Sequence, residues 1–366
     1  MRVIVAPDSF GETLTAVEAA ESISAGWRRG RPDDDVVTAP QSDGGPGFVD
    51  VLAAAGGDIR SARVSGPLTA GVDAKWLLDS GTAYIESAEA VGLGLLGGPP
   101  TRASALAAHS RGVGELIAAA LEEGVKTIVV GLGGSCCTDG GRGLVEALGG
   151  LEAATAAAAG VQLVAATDVE HVLLGEHGAA AVFGPQKGAD AEAIAVLEAR
   201  NAMWAEQLES ISEKGVSDLP GAGAAGGIGA ALFALGAQRR SGADVVADRT
   251  GQAALLASAD LVITGEGKFD HQSLRGKLVT ALASAGAAHG VPTLVFAGQV
   301  TLDEADYAST SIVAAESVTE FAGSVERAMN EASACLEGLA EHTAREWNIW
   351  RGQQSAGSTS VDAPLP

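Results

Sequence analysis

Carboxylates set among glycines at the ends of apolar runs are the residues of this chain best suited to chemistry, and three turns carry them. In the first, the apolar run Thr127-Ile-Val-Val-Gly131 leads into Leu132-Gly133-Gly134-Ser135-Cys136-Cys137-Thr138-Asp139, followed by Gly140, Gly141 and Gly143. The second is Gln41-Ser-Asp43-Gly-Gly-Pro46-Gly47, and the third, Asp260-Leu-Val-Ile-Thr-Gly-Glu266-Gly-Lys-Phe-Asp270, closes another apolar run. Glycine lets backbone N–H groups converge on an anion, the N-terminus of a following helix adds partial positive charge, and a carboxylate in the same turn can hold Mg²⁺. Three such turns predict a polyanion handled with a divalent metal, and so phosphoryl transfer ahead of most other chemistries.

Further candidates lie at strand ends and in glycine or cation turns. Asp8 and Ser9 follow the first apolar run, just before Thr13 and Thr15 open a helix, where the same residues would also serve as caps. Asp168 closes Val164-Ala-Ala-Thr-Asp168 and is placed to hold a metal or accept a proton. Lys187 stands in the rigid turn Phe183-Gly-Pro-Gln-Lys187-Gly188, suited to a phosphate or carboxylate. Gly226 and Gly227, in the run Leu219-Pro-Gly-Ala-Gly-Ala-Ala-Gly226-Gly227-Ile-Gly229, are of the kind that bring a backbone close to a nucleotide, or one helix close to another. Arg275 and Lys277 place two cations before a helix, as a substrate or phosphate site requires. His109, His171 and His271 show no ligand spacing, and the cysteines beside Ser135 have no histidine to activate them.

Strand and helix signals alternate along the chain, which predicts parallel sheet with crossover helices. Strands are expected at 2–6, 35–38, 127–131, 162–166, 261–264, 293–297 and 311–314, and helices at 15–29, 114–123, 191–210, 251–257, 277–288 and 324–346. Residues 58–87 read differently, as three short strands (59–65, 72–78 and 82–86) separated by Gly-Pro and Asp-Ser-Gly turns, a meander. That change of rhythm predicts two domains, one from 1–58 with 250–347 and the other from 59–249. The polar stretch 353–366 is expected to be disordered. In doubly wound sheets ligands sit at the carboxyl ends of strands, which is where the candidate residues fall.

With 366 residues, 47% of them hydrophobic, the chain can bury a large core. Its net charge of −23, with no basic run, opposes nucleic acid and anionic membrane surfaces. An anionic ligand must therefore be met locally, by a few cations, by backbone donors or by Mg²⁺. The uncharged stretch 219–238 is long enough to raise the question of a membrane span, but its glycines and Pro220 argue for a loop opening a buried helix. Three cysteines without ligand spacing, and an N-terminus that reads as a strand, fit a cytoplasmic protein. Neither the Gly-x-x-x-x-Gly-Lys-Ser/Thr loop nor the protein-kinase motif set occurs, so a kinase of this sequence belongs to neither common class.

The ordered motifs Ala6-Pro-Asp-Ser-Phe10, Asp43-Gly-Gly45, Gly131-Leu-Gly-Gly-Ser135, Asp139-Gly-Gly141, Phe183-Gly-Pro-Gln-Lys-Gly-Ala189, Leu219 to Gly227, and Asp260 to Gly267 with Gln272-Ser273 and Gly276-Lys277 resemble those of the two-domain bacterial glycerate kinases. The resemblance implies an α/β fold, with a Rossmann-like domain joined to a second α/β domain, and phosphorylation of D-glycerate by ATP with Mg²⁺, usually at the 2-hydroxyl. It further implies a small hydroxy acid held in a cleft by Asp8, Ser9, Arg275 and Lys277. ATP would lie along Gly133, Gly134, Ser135, Lys187, Gly226, Gly227 and Glu266. One or two of Asp43, Asp139, Asp168 and Glu266 would hold Mg²⁺. Another of these acids, Asp168 first, would accept the hydroxyl proton. A homodimer is compatible with this scheme.

The sequence also departs from the family pattern. Gly11 stands where lysine is usual and Pro46 where glutamate is usual, which removes one cation and one anion from turns the resemblance sets facing each other. Glu170-His171 replaces an Asp-Asn pair, and Arg111 a tyrosine. These changes leave two alternatives open: a kinase for another small hydroxy acid, and a non-catalytic ligand-binding relative.

Overall fold

The structure, a computed structural model, describes residues 1–357 except 69–70, 213–214 and 275–277, with side chains described as far as Trp347. Arg275 and Lys277 lie outside the described residues, as does 358–366. The preceding residues, 353–357, expected to be disordered, are the last of a helix, Ala332–Gly357.

Eleven strands are found among the described residues: β1 (Arg2–Val5), β2 (Asp35–Thr38), β3 (Asp58–Ser65), β4 (Gly71–Asp79), β5 (Thr82–Glu86), β6 (Thr127–Gly131), β7 (Gln162–Ala166), β8 (Gln238–Arg240), β9 (Leu261–Phe269), β10 (Thr293–Val300) and β11 (Ile312–Ser317). They divide between two compact units, one formed by Met1–Gln41 with the chain from Gly251 onward, the other by Ser42–Thr250. The division at Gln41 falls before the expected one at residue 58, so the Asp43 turn belongs to the second unit.

The first unit is built on an all-parallel sheet of order β11-β10-β9-β1-β2. β1 and the first halves of β9 and β10 are buried runs rich in Val, Ile and Leu, as a sheet covered on both faces requires, while the edge strand β2 is exposed at Asp35 and Thr38. One face carries the helix Ala16–Gly30, which starts where Thr15 and Glu18 form a reciprocal capping box. This helix packs on Ala332–Gly357, with Trp27 and Trp347 meeting edge to face at 5.9 Å between ring centres. The expected single helix over 324–346 is two, Val325–Asn330 and Ala332–Gly357. β9 and β10 run several residues past their expected ends. Gly265 and Gly267 were read as part of a turn, but a Cβ at Gly298 of β10 would lie 2.5 Å from the Gly267 carbonyl oxygen. Here glycine permits close approach inside a sheet.

The second unit contains a six-stranded sheet of order β3-β4-β5-β6-β7-β8. β3, β4 and β5 are the expected antiparallel meander, and β5 then pairs parallel to β6, with Glu86 opposite Gly131. β6, β7 and β8 continue in parallel. β8, three exposed polar residues, was not expected. The core beneath includes Trp76, Ile85, Leu116, Ile128 and Leu144. The helix Ala224–Ala234 is short, and no described helix is long and apolar enough to cross a membrane.

Candidate active site

The carboxyl ends of β6 and β7 in the second unit bring two of the acid-glycine turns together. A Cβ at Gly133 would lie 2.5 Å from Gly45 Cα, so the Asp43 turn and the loop after β6 touch backbone to backbone. Only glycine allows this approach. Pro46 packs over Gly134, and Asp43 steadies its own turn by accepting the Gly45 N–H at 3.0 Å.

Asp139, expected as a metal ligand or proton acceptor, is taken up in this structure by hydrogen bonds to its own loop and its neighbours. Its Oδ2 accepts the N–H of Ser110 at 2.8 Å, the Ser110 hydroxyl at 2.9 Å and the Gly143 N–H at 3.0 Å, while Oδ1 accepts the Gly141 N–H at 3.2 Å. The Ser110 hydroxyl in turn accepts the Leu144 N–H. With three donors on one oxygen and one on the other, the carboxylate braces the start of the helix Arg142–Ala147, where orphan donors need acceptors.

Lys187 was expected as a cation offered to a phosphate. It is fully buried instead, and Nζ donates to Ser135 Oγ at 3.0 Å and to the Cys137 carbonyl at 2.6 Å. Burial pulls its ammonium below the ordinary range. Lys187 therefore fixes the shape of the Gly133–Cys137 loop, and Ser135, itself buried, is its partner. Gly226 and Gly227 also face protein: a Cβ on Gly226, whose φ is +70°, would sit 2.0 Å from the Cys137 carbonyl oxygen. The Gly226 carbonyl accepts the Gly140 N–H, so this glycine run clamps the same loop from behind. Burial pushes the Cys136 thiol up to about 11 and raises that of Cys137 well above its ordinary value, which leaves neither as a nucleophile at neutral pH.

Asp168 keeps the position its sequence suggested, one residue past the buried Thr167 beyond β7. Desolvation raises its carboxyl above the ordinary range, the negative charges of Asp43 and Asp244 add to this, and hydrogen bonds from the Ser241 hydroxyl and the Ala243 N–H oppose it. Asp168 thus feels the charge of Asp43 beyond the end of β7. A raised carboxyl suits proton acceptance. Among the described residues no three His, Cys, Asp or Glu side chains gather as a metal cluster. Mg²⁺, however, needs only one or two carboxylates besides phosphate and water, and the exposed Asp43 fits that demand.

Sequence reasoning missed Glu86. It ends β5, is only 3% exposed, and accepts the Val49 N–H at 3.3 Å, with the Gly47 N–H as a further donor. It therefore holds the far end of the Asp43 turn. Burial, with Glu89 and Asp50 nearby, pushes its carboxyl up to about 7. The only signal in the sequence was an acid closing an apolar strand, the same signal that pointed to Asp168.

In the first unit, Asp8 and Ser9 follow β1, where the Asp8 N–H donates to the Gly265 carbonyl of β9 and the Ser9 N–H to Asp8 Oδ1 at 2.7 Å. Glu266 lies inside β9, in register with Ala297, rather than in a turn after it. Gly11 has a φ of +60° with open space around the position a Cβ would take. Lys268 pairs with Asp270 at 3.3 Å.

Known proteins resemble this chain along nearly its whole length. The model of the glycerate kinase family matches residues 3–152 and 150–348. The chain is 37% identical to the glycerate 2-kinase of Escherichia coli, over 91% of this chain and 94% of that one. It is 56% identical to an uncharacterized protein of Mycobacterium bovis, over 94% and 91%. A crystal structure of a protein assigned as glycerate kinase 2 from Salmonella typhimurium LT2 superposes with a TM-score of 0.78 at 35% identity, covering 97% of this chain and 99% of the other. The chain belongs to the glycerate kinase family, and is a phosphotransferase that acts on an alcohol group.

Proposed function

We propose that the protein transfers the γ-phosphoryl group of ATP to the 2-hydroxyl of D-glycerate. The observation that carries this reading is Asp168, its carboxyl raised by burial and by the nearby charge of Asp43, just past the end of the parallel strand β7 beside a glycine loop held rigid from within. Phosphoryl transfer asks little covalent chemistry of a protein; it asks for positioning, charge control and a place for one proton. Asp168, its carboxyl raised, accepts the proton of the substrate hydroxyl. The Gly133–Ser135 segment, locked by Lys187, presents backbone to the phosphates without having to reorganise. Mg²⁺, when bound, supplies neutralisation of the β- and γ-phosphate charge, and Asp43 is the carboxylate that would hold it. Asp8 and Ser9, at the end of β1, are read as contacts to the hydroxy acid.

The test is ADP release from Mg-ATP with D-glycerate and a panel of related hydroxy acids. Turnover that depends on D-glycerate supports the reading. Turnover with a different acid alone makes Gly11 and Pro46 marks of another substrate, and none with any acid, from folded protein, removes the proposal.

A further inference from the structure

A chain of net charge −23 must meet an anion with cations gathered locally, and the second unit gathers three arginines around a cavity of about 510 Å³. Every residue lining it lies between Leu106 and Trp204, inside that unit. Arg111 opens the helix Arg111–Glu122 and Arg142 the helix Arg142–Ala147. Arg200 stands on the face of Ala191–Glu209 that also carries Leu197 and Trp204. Asp43, Asp168 and Gly133–Ser135 are not among the lining residues, so this cavity is not the acid-glycine edge described above.

Each arginine is held at one nitrogen and keeps the rest of its fork. Arg111 Nε donates to Glu115 at 3.0 Å, Arg142 Nε to Glu146 at 2.8 Å, and a terminal nitrogen of Arg200 to the Leu106 carbonyl at 2.8 Å. Arg142 is further steadied over the Trp204 ring, 5.9 Å from its centre. Against the three guanidiniums the lining carries two carboxylates, Glu146 and Asp139. Glu146 is the one paired with Arg142, and Asp139 already accepts four hydrogen bonds. A carboxylate ligand has two oxygens, which one arginine fork occupies, whereas a phosphate has three and nearly a double charge, and engages several forks at once. The rest of the wall, with Leu106, Ala108, Leu197 and Trp204, is apolar and suits an organic body rather than a bare ion. Two polar groups here lack a protein partner. They are His109 Nδ1, whose Nε2 lies 3.0 Å from the Leu68 carbonyl, and the side-chain amide of Asn201, 1% exposed and set between Leu197 and Trp204 on its helix. Buried polar atoms are seldom left unpaired, and these two adjoin the cavity wall.

We propose that this cavity is a binding site for an organic phosphate monoester, its phosphate held by Arg111, Arg142 and Arg200 and its body against Leu106, Leu197 and Trp204.

The test is isothermal titration calorimetry of the full chain with phenyl phosphate and, separately, with inorganic phosphate. Wild type should bind phenyl phosphate at one site, more tightly than inorganic phosphate. Arg111→Gln and, separately, Arg200→Gln remove exposed guanidiniums where folding should not suffer, which circular dichroism checks. Each should raise the Kd for phenyl phosphate on the order of tenfold. Arg29→Gln, at an exposed arginine of the first unit, should leave it unchanged. Wild-type Kd in both cavity variants overturns the proposal, as does an equal loss in Arg29→Gln, which would reduce the effect to overall charge. The absence of heat with either probe overturns it too, and inorganic phosphate binding as tightly as the ester removes the organic body. In turnover, kcat/KM for the acceptor acid should stay at the wild-type value in both cavity variants; a tenfold loss there would place these arginines in the reaction itself and overturn a separate site. The binding measurement stands whether or not D-glycerate is the acceptor.

Discussion

Replacing Glu86 by glutamine should uncouple the stability of the second unit from pH near neutrality. The Glu86 carboxyl titrates at about 7 in the folded chain against an ordinary 4.5. The folded state therefore favours the protonated form, and the stability this contributes is complete below about pH 4.5 and lost as pH rises through about 7. The gap spans about 2.5 on the pH scale, which at about 1.36 kcal/mol for each step amounts to roughly 3 kcal/mol. Glu86 is almost wholly buried, so solvent screening takes little from this figure. Glutamine keeps an oxygen for the Val49 N–H and cannot ionise. Urea unfolding of both proteins, followed by circular dichroism at a series of pH values, isolates the term, because every other titrating group is common to the pair. Glu86→Gln should match wild type within about 1 kcal/mol near pH 4.5 and exceed it by roughly 3 kcal/mol near pH 8.5. A difference that stays flat across that window would refute the reasoning and mean that Glu86 is ionised in the folded chain at all these pH values.

Three further outcomes follow from the site. Asp168→Asn should lower kcat on the order of 10²-fold or more with little change in urea midpoint, the signature of a lost proton acceptor rather than a lost support; wild-type kcat would assign the residue to structure. Gly226→Ala should destabilise by more than about 2 kcal/mol in urea unfolding, because the new Cβ meets the Cys137 carbonyl and the backbone is left-handed there. Gly11→Lys with Pro46→Glu should move the kcat/KM ranking toward D-glycerate on the order of tenfold, and more than either change alone; an unchanged ranking across the acid panel would remove both positions from specificity.

The apolar runs made most of the fold legible. β2, β6 and β7 occupy the expected residues, and for β6 and β7 the reason is that an apolar stretch bounded by turn residues has few alternatives to a buried parallel strand. The failures share a physical cause: local sequence reports propensity, whereas neighbours far along the chain decide the outcome. Gly265 and Gly267 look like turn residues until β10 is seen lying against β9. The strand β8 has neither apolar content nor length and exists because β7 offers an edge. In the candidate site, Asp168 and Asp43 were readable as acids at strand and turn ends. Lys187 and Asp139 were readable as important but not as internal braces, since that depends on Ser135, Cys137 and Ser110 arriving from elsewhere. Glu86 was passed over because its carboxyl is governed by a helix start at Gly47, distant in sequence.

The account stands most directly on the product of the reaction. Phosphorus-31 NMR of the wild-type protein with Mg-ATP and D-glycerate should show 2-phosphoglycerate accumulating one for one with ADP. Inorganic phosphate in place of a phosphorylated acid, phosphate on the 3-hydroxyl, or ATP left intact would contradict it.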